Sequence, residues 1–466
     1  MRALSIVLWI AISAPAVSQA PASSAAWTIP ANDDIRRVMA EHLTVRGAGM
    51  VIGIIEPTGR RLVVHGESHS RDGRALDGDT LFQIGSVTKT FTTLLLADAV
   101  SRGEVAFDDP VSRYLAQGVT LRERGRPITL RDLATHVSGL PSMPSNLDLH
   151  ARPDPIAGYS PRDFDRFLNS FEPERAPGEK WSYSNVGVSL LGRLLARHAG
   201  TSYEELLRER VLEPLGLHDT AITLSRAQAR RVAPGLDRYG EPATVWEMRT
   251  LQGSGSLRSS ANDLLEYLAA ILGIRETPLR AAIDLQLAQR SPVRKSQAIG
   301  WGMNTFNGRE AFVHDGGKAG YRSIVAFDPT NRRGIVILVN ARTDERLGPM
   351  ALWLINGKAL PPPTPAPAPR ARVKVDRATL AAYQGRYRFD DGRELAIVRV
   401  RDHLIVGTQS DGGSPFAAAS SREFFDPSDF TELVFENAGN GAAVTLYEQG
   451  RAQGKGITGR RVSGSD

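Results

Sequence analysis

Ser86 and Lys89 stand three residues apart in Phe82-Gln83-Ile84-Gly85-Ser86-Val87-Thr88-Lys89-Thr90-Phe91, a spacing that can bring a hydroxyl to an amine. After Gly85 the apolar residues Phe91, Leu94, Leu95 and Ala99 recur at helical intervals, which predicts a helix beginning beside Ser86. Residues three apart share a helix face, so the Lys89 amine can reach the Ser86 hydroxyl. The first turn of a helix also offers unpaired N–H groups and a positive dipole end, both of which favour developing negative charge. A serine that must become an alkoxide needs a nearby base and such a field. A plainer reading makes Ser86 a helix cap and Lys89 a solvated charge, and a bare Ser-x-x-Lys arises by chance about once in a chain of this composition.

Two further motifs follow in order. Tyr183-Ser184-Asn185 comes after Pro177-Gly178-Glu179-Lys180-Trp181 and opens a helical pattern of Val188, Leu191, Leu194 and Leu195 that runs to Gly200. Alone, Asn185 reads equally as an N-cap and Tyr183 as a core aromatic. His314-Asp315-Gly316-Gly317 precedes Gly320-Tyr321-Arg322-Ser323, and its glycines permit close approach of backbone to a ligand. Alone, it reads equally as a glycine-rich hairpin.

Together, Ser-x-x-Lys, Tyr-Ser-Asn and His-x-Gly resemble the serine penicillin-recognising enzymes. The similarity is to the branch holding class C β-lactamases, DD-carboxypeptidases and family VIII esterases. Ile128 to Pro141, Glu213-Pro214-Leu215-Gly216-Leu217 and Gly255 to Leu264 look like that branch as well. The resemblance spans roughly residues 30 to 350. It implies that Ser86 is the acylated nucleophile, Lys89 its proton partner and Tyr183 the second acid/base group. It implies an oxyanion hole from the backbone N–H groups of Ser86 and Gly317, and substrate contacts from Asn185, His314 and Gly316. One departure stands out: class C β-lactamases carry Lys-Thr-Gly where this chain has His314-Asp315-Gly316. Histidine is charged only below about pH 6.5 unless perturbed, which weakens the expectation of efficient β-lactam hydrolysis. If the His314 imidazolium did hold a substrate carboxylate, activity on anionic substrates would fall as pH rose through its pKa.

Other conspicuous residues read more plainly. His136 lies beside Ser138-Gly139, but in the resembled family that segment is scaffold. His65 and His69 have i, i+4 spacing in a context of strand and loop. No His-Glu-x-x-His pattern, paired cysteine, phosphate loop or dinucleotide fingerprint occurs, so neither a metal nor a cofactor is implied.

With 466 residues, 41% of them hydrophobic, the chain can bury a large core and hold more than one domain. Met1-Arg2, an apolar run from Leu4 to Val17, and small residues to Ala22 read as a signal peptide over residues 1–22, too short for a membrane span. The chain has no cysteine, which removes a lipid anchor, a disulfide framework and a thiol nucleophile together, and suits a bacterial periplasmic or secreted protein. The net charge of +6 is dispersed, without interleaved aromatics, and points to no nucleic-acid partner.

These groups need a scaffold. The apolar runs Met50 to Ile55 and Ile335 to Val339 suit strands covered on both faces. In the resembled fold they are neighbours in an antiparallel sheet flanked by helices, an α/β (α+β) architecture with a helical lobe over about residues 90–260. The expected organisation is a catalytic domain over 23–358, a proline-rich linker over 359–372 and a small all-β domain over 373–466. A polyproline strut of ~3.1 Å per residue would hold the two domains apart. In the β-domain, Asp391-Gly392, Asp411-Gly412-Gly413 and Asn440-Gly441 read as turns between short strands, most simply in a barrel. The chemistry should reside wholly in the first domain, with the second modulating access, oligomerisation or cell-wall attachment. The reading is an exported serine hydrolase with an acyl-Ser86 intermediate, acting on β-lactams or D-Ala-D-Ala-type peptides. Its rivals are a carboxylesterase of the same family and a penicillin-binding sensor that acylates but hardly turns over. The expected partner is a small-molecule or peptidoglycan-type substrate, with no membrane segment after signal removal and the oligomeric state open.

Overall fold

The computed structural model describes residues 27–147, 156–243, 247–306, 309–318, 320–343, 347–363, 370–400, 402–408, 412–427, 431–437, 440–448 and 454–462. The signal-peptide segment and the central prolines of the linker lie outside these residues.

Seven strands form one antiparallel sheet in the order Gly59–Gly66, Gly49–Glu56, Arg333–Val339, Tyr321–Asp328, Arg309–Lys318, Trp301–Phe306 and Gln297–Ala298. The two apolar runs pair as neighbours, with Ile52 opposite Ile337. Their alternation explains why both are apolar throughout. Val51, Ile55, Val336 and Leu338 face the large core shared with the helical lobe. Met50, Ile52, Ile54, Ile335, Ile337 and Val339 face the helices Asn32–His42 and Leu347–Asn356. Side chains alternate along a strand, so a sheet covered on both faces needs apolar residues at every position.

The helical lobe is organised around Thr88–Ser101, whose residues from Thr88 to Ala99 are all buried. Its threonines satisfy their hydroxyls locally: Thr90 donates to the Val87 carbonyl at 2.9 Å and Thr93 to that of Lys89 at 2.9 Å. That lets polar residues occupy a fully enclosed helix. Asn185–Ala199 packs beside it. Its N-cap is Ser184, whose Oγ accepts from the Gly187 N–H at 2.8 Å, and Gly200 ends it at φ +71°. The capping role open to Asn185 therefore belongs to Ser184.

Eight antiparallel strands between Gly385 and Arg461 close into a barrel, the first pairing with the last through Tyr387 and Arg461. Tyr383, Tyr387, Phe389, Phe416, Phe424 and Phe435 fill its interior. Asp391-Gly392 makes a turn, with Gly392 at φ +86°. Gly412 and Gly413 instead begin a strand, paired back with Thr408 and Gly407, and Asn440 begins another opposite Asn437, while Asp411 lies outside the described residues. The barrel is not held apart from the first domain. Arg372 ion-pairs with Asp237, and the Tyr239 ring meets Phe425 edge-on at 5.1 Å.

Candidate active site

The short strand Phe82–Gln83 pairs with Arg258–Ser259 and delivers the chain to Gly85. Gly85 has φ +49°, a region that glycine enters without steric cost, and the resulting sharp turn sets Ser86 in a 3₁₀ turn leading into Thr88–Ser101. A side chain at Gly85 would lie 3.1–3.3 Å from the backbone of Gly317, so the Gly317 peptide rests against the Gly85–Ser86 segment.

Lys89, one turn on, is fully buried. Its Nζ lies 3.0 Å from Ser86 Oγ and donates to the Ser254 carbonyl at 2.6 Å. Burial lowers its pKa from 10.5 to about 7, against the opposing charge of Asp315. Near neutrality a large fraction of Lys89 is therefore an uncharged amine. Tyr183 donates its O–H to Ser86 Oγ at 2.7 Å, and Lys89 Nζ sits 4.9 Å from the centroid of its ring. Burial pushes the Tyr183 phenol above its ordinary range, so it is protonated at pH 7. Ser86 Oγ thus lies between a proton acceptor and a proton donor.

His136 holds Tyr183 from three sides. Its carbonyl accepts the Ser182 N–H at 2.8 Å, its Nδ1 accepts the Ser184 N–H at 3.2 Å, and its ring lies 4.6 Å from the Tyr183 ring. Burial above all, with Lys89, His314 and Arg294 nearby, holds its pKa well below 6.5. A neutral ring with Nδ1 occupied fits a scaffold. Sequence reasoning assigned the segment to scaffold but missed this bracketing, which depends on contacts some 47 residues away and on a backbone φ of +61° at His136.

On the third motif, His314 is buried and its Nδ1 donates to the Gly300 carbonyl at 2.6 Å. Burial and Lys89 push its pKa down to about 4. The conditional reading of His314 as an imidazolium that holds a carboxylate is therefore not met: the ring is neutral at pH 7. Gly316 also has a structural reason to be glycine. A side chain there would collide with the Ile84 carbonyl and Ser323 Oγ, so its glycine serves the approach of the strand to Ile84. That approach is what brings Gly317 beside Ser86. Asn185, two residues beyond Tyr183, is half-buried with its Nδ2 3.4 Å from Ser142 Oγ. Asp315 is solvent-exposed, yet its charge acts on Lys89, Tyr183 and His314, a role no local spacing announced. His65 lies in the strand Gly59–Gly66 and His69 in the loop after it. Among the described residues no cluster of three or more His, Cys, Asp or Glu could hold a metal ion.

The arrangement can support nucleophilic attack by Ser86 with proton transfer through Lys89 and Tyr183. Comparison with known proteins gives the family. A beta-lactamase of Escherichia coli (strain K12) is 30% identical over 313 residues, covering 59% of this chain and 79% of that protein. The D-alanyl-D-alanine-carboxypeptidase/endopeptidase AmpH of Escherichia coli (strain K12) is 28% identical over 311 residues, covering 62% and 79%. The octameric penicillin-binding protein homologue of Pyrococcus abyssi shares the fold, with a TM-score of 0.60 at 22% identity over 92% of this chain and 98% of its own. The Beta-lactamase family model matches residues 35–359, most of the chain, and the protein therefore belongs to the beta-lactamase family of serine hydrolases.

Proposed function

We propose that this chain is an exported hydrolase that works through an acyl-Ser86 intermediate, its chemistry carried by residues 23–358. The observation that carries the reading is Ser86 Oγ lying 3.0 Å from a buried Lys89 Nζ and 2.7 Å from the Tyr183 O–H. Ser86 Oγ attacks the acyl carbon as its proton passes to neutral Lys89. The N–H groups of Ser86 and Gly317 receive the oxyanion, each worth ~3 kcal/mol in such sites. As the tetrahedral intermediate collapses, Tyr183 protonates the leaving group and is reprotonated from Lys89. Water then attacks the acyl-enzyme carbonyl, its proton passing to the same pair and from it to Ser86 Oγ as the ester bond breaks and the acid leaves. Asn185 contacts the substrate's amide side chain.

The proposed acyl donors are β-lactams and D-Ala-D-Ala-type peptides, in line with what the two Escherichia coli relatives are named for. One observation favours a second reading, a carboxylesterase: neutral His314 gives no fixed charge to hold a substrate carboxylate. Steady-state rates with nitrocefin, a D-Ala-D-Ala peptide and a short p-nitrophenyl ester on one preparation test both. Turnover of either of the first two well above the ester supports the primary reading. Ester turnover alone supports the second. Stoichiometric acylation with negligible turnover of all three would replace both with a penicillin-binding sensor.

A further inference from the structure

Among the described residues, a small hairpin links the barrel to the strand that neighbours the third motif. From Gly235 to Ala243 the chain folds back on itself, with the Ala243 N–H donating to the Gly235 carbonyl at 2.9 Å and the Asp237 N–H to that of Glu241 at 2.7 Å. Asp237 Oδ1 closes the tip by accepting from the Tyr239 and Glu241 N–H groups at 2.9 and 3.1 Å.

The base of this hairpin lies against the residues after the strand Arg333–Val339 and against the start of Tyr321–Asp328, which pairs with the third-motif strand. Leu236 exchanges backbone hydrogen bonds with Asn340 and Arg342 at 2.9 and 2.8 Å. Just before it, the Ala233 and Pro234 carbonyls accept from Tyr321 Oη and Asn340 Nδ2 at 2.7 and 3.0 Å. Gly235 and Gly320 meet backbone to backbone. A side chain at Gly320 would lie 2.7 Å from the Gly235 carbonyl carbon, and one at Gly235 would lie 2.6 Å from the Tyr321 ring. Gly320 immediately precedes the strand Tyr321–Asp328, in which Tyr321 pairs with Lys318 and Arg322 with Gly317. With no side chain between the two backbones, a shift of the hairpin has no soft layer in which to be absorbed. Arg342, whose N–H bonds the hairpin, also carries its Nη1 to 3.6 Å from where a Gly317 side chain would begin.

The tip lies on the barrel. The Arg238 N–H donates to the Pro427 carbonyl at 3.2 Å, and the Arg238 side chain is fully buried. Tyr239 meets Phe425, Arg370 lies over the Phe425 ring and pairs with Glu432 at 2.5 Å, and Arg372 pairs with Asp237. A buried arginine, an aromatic edge contact and a largely buried aspartate make a built joint rather than a glancing touch.

We propose that the C-terminal barrel, docked on the hairpin Gly235–Ala243, positions the Gly317 N–H for the oxyanion, making Tyr239 and Phe425 positioning residues for acylation. This rests on the assignment of Gly317 to the oxyanion hole. The barrel then does more than modulate access, because its docked state sets the rate of the chemical step for small substrates as well as large ones.

The test uses the full chain with Tyr239→Ala, Phe425→Ala, their double variant, the triple variant with Arg372→Ala, and Tyr239→Phe. Each is assayed for kcat and KM on a short p-nitrophenyl ester, and for the rate at which a fluorophosphonate labels Ser86, a reaction that uses the same N–H donors. Loss of alignment should lower kcat and the labelling rate together by about tenfold, with KM within about twofold. The double variant should be little worse than either single one, since both remove one contact, and Tyr239→Phe should match the wild type. If Tyr239→Ala fails to fold, Phe425→Ala, which lies wholly within the barrel, carries the test. Wild-type kcat and labelling in the triple variant overturn the proposal. A wild-type enzyme that is not labelled at Ser86 refutes the reading of the site itself, a distinct outcome.

Discussion

Lys89→Met should make the protein more stable while removing its activity. Burial lowers the Lys89 pKa from 10.5 to about 7, and at 1.36 kcal/mol per pH unit this corresponds to roughly 5 kcal/mol against the charged amine in the folded state. The sign follows from proton counting. Below pH 7 the lysine is charged in both folded and unfolded chains, so the folded state bears the full penalty. Between pH 7 and 10.5 the unfolded chain holds a proton that the folded chain does not, so the penalty fades as pH rises through that window. Methionine has a similar length and carries no charge to desolvate. Its cost is the loss of the bonds to Ser254 and Ser86, with one buried carbonyl left short of a donor, about 1–3 kcal/mol. The net expectation is a gain of roughly 2–4 kcal/mol at pH 6, shrinking as pH approaches 9. Urea unfolding of wild type and variant at pH 6, 7.5 and 9 measures it, with kcat on a p-nitrophenyl ester alongside. A variant no more stable than wild type at pH 6, or a difference that does not change with pH, would refute the claim that Lys89 is held neutral by burial.

Three other outcomes follow from the same geometry. The kcat/KM for a neutral ester should rise along one limb near pH 7 as Lys89 loses its proton, and an anionic substrate should give the same limb, because burial pushes the His314 pKa well below that range; an added fall between pH 6 and 8 for the anion alone would contradict this. His136→Ala should lower kcat by about 10- to 100-fold with KM nearly unchanged, since Tyr183 loses its ring support and one of its flanking N–H acceptors; a changed KM with intact kcat would point to substrate contact instead. Gly316→Ala should destabilise the protein or abolish labelling of Ser86 by driving the strand away from Ile84, and a thermal midpoint and labelling rate equal to wild type would show that the approach is not needed.

Local spacing made the pairing of Ser86 with Lys89 legible, because the motif sits at the start of a helix whose apolar period is clear, whereas Tyr183 was singled out by the resemblance of the three motifs to a known family. The covered position of Met50 to Ile55 and Ile335 to Val339 was legible because unbroken apolar runs have few places to go except the centre of a covered sheet, while their pairing as neighbours came from the resembled fold. What spacing did not carry was anything set by distant burial. The charge state of His314 depends on the Gly300 carbonyl and on enclosure beside Lys89. The grip of His136 on Tyr183 depends on a left-handed backbone at one residue. Gly412-Gly413 looked like a turn because glycine marks turns, yet it also tolerates a strand end paired straight back on its neighbour. The docking of the barrel was hidden most fully, since Asp237, Arg238 and Tyr239 form no motif and the proline run suggested separation.

The central claim is that Ser86 forms the covalent intermediate. Peptide mass spectrometry of wild type and Ser86→Ala, each incubated with a penicillin and with a fluorophosphonate, tests it most directly. The account predicts a single adduct on the wild-type peptide carrying Ser86, and none in a folded, inactive alanine variant. An adduct on another residue, or full turnover by Ser86→Ala, would contradict it.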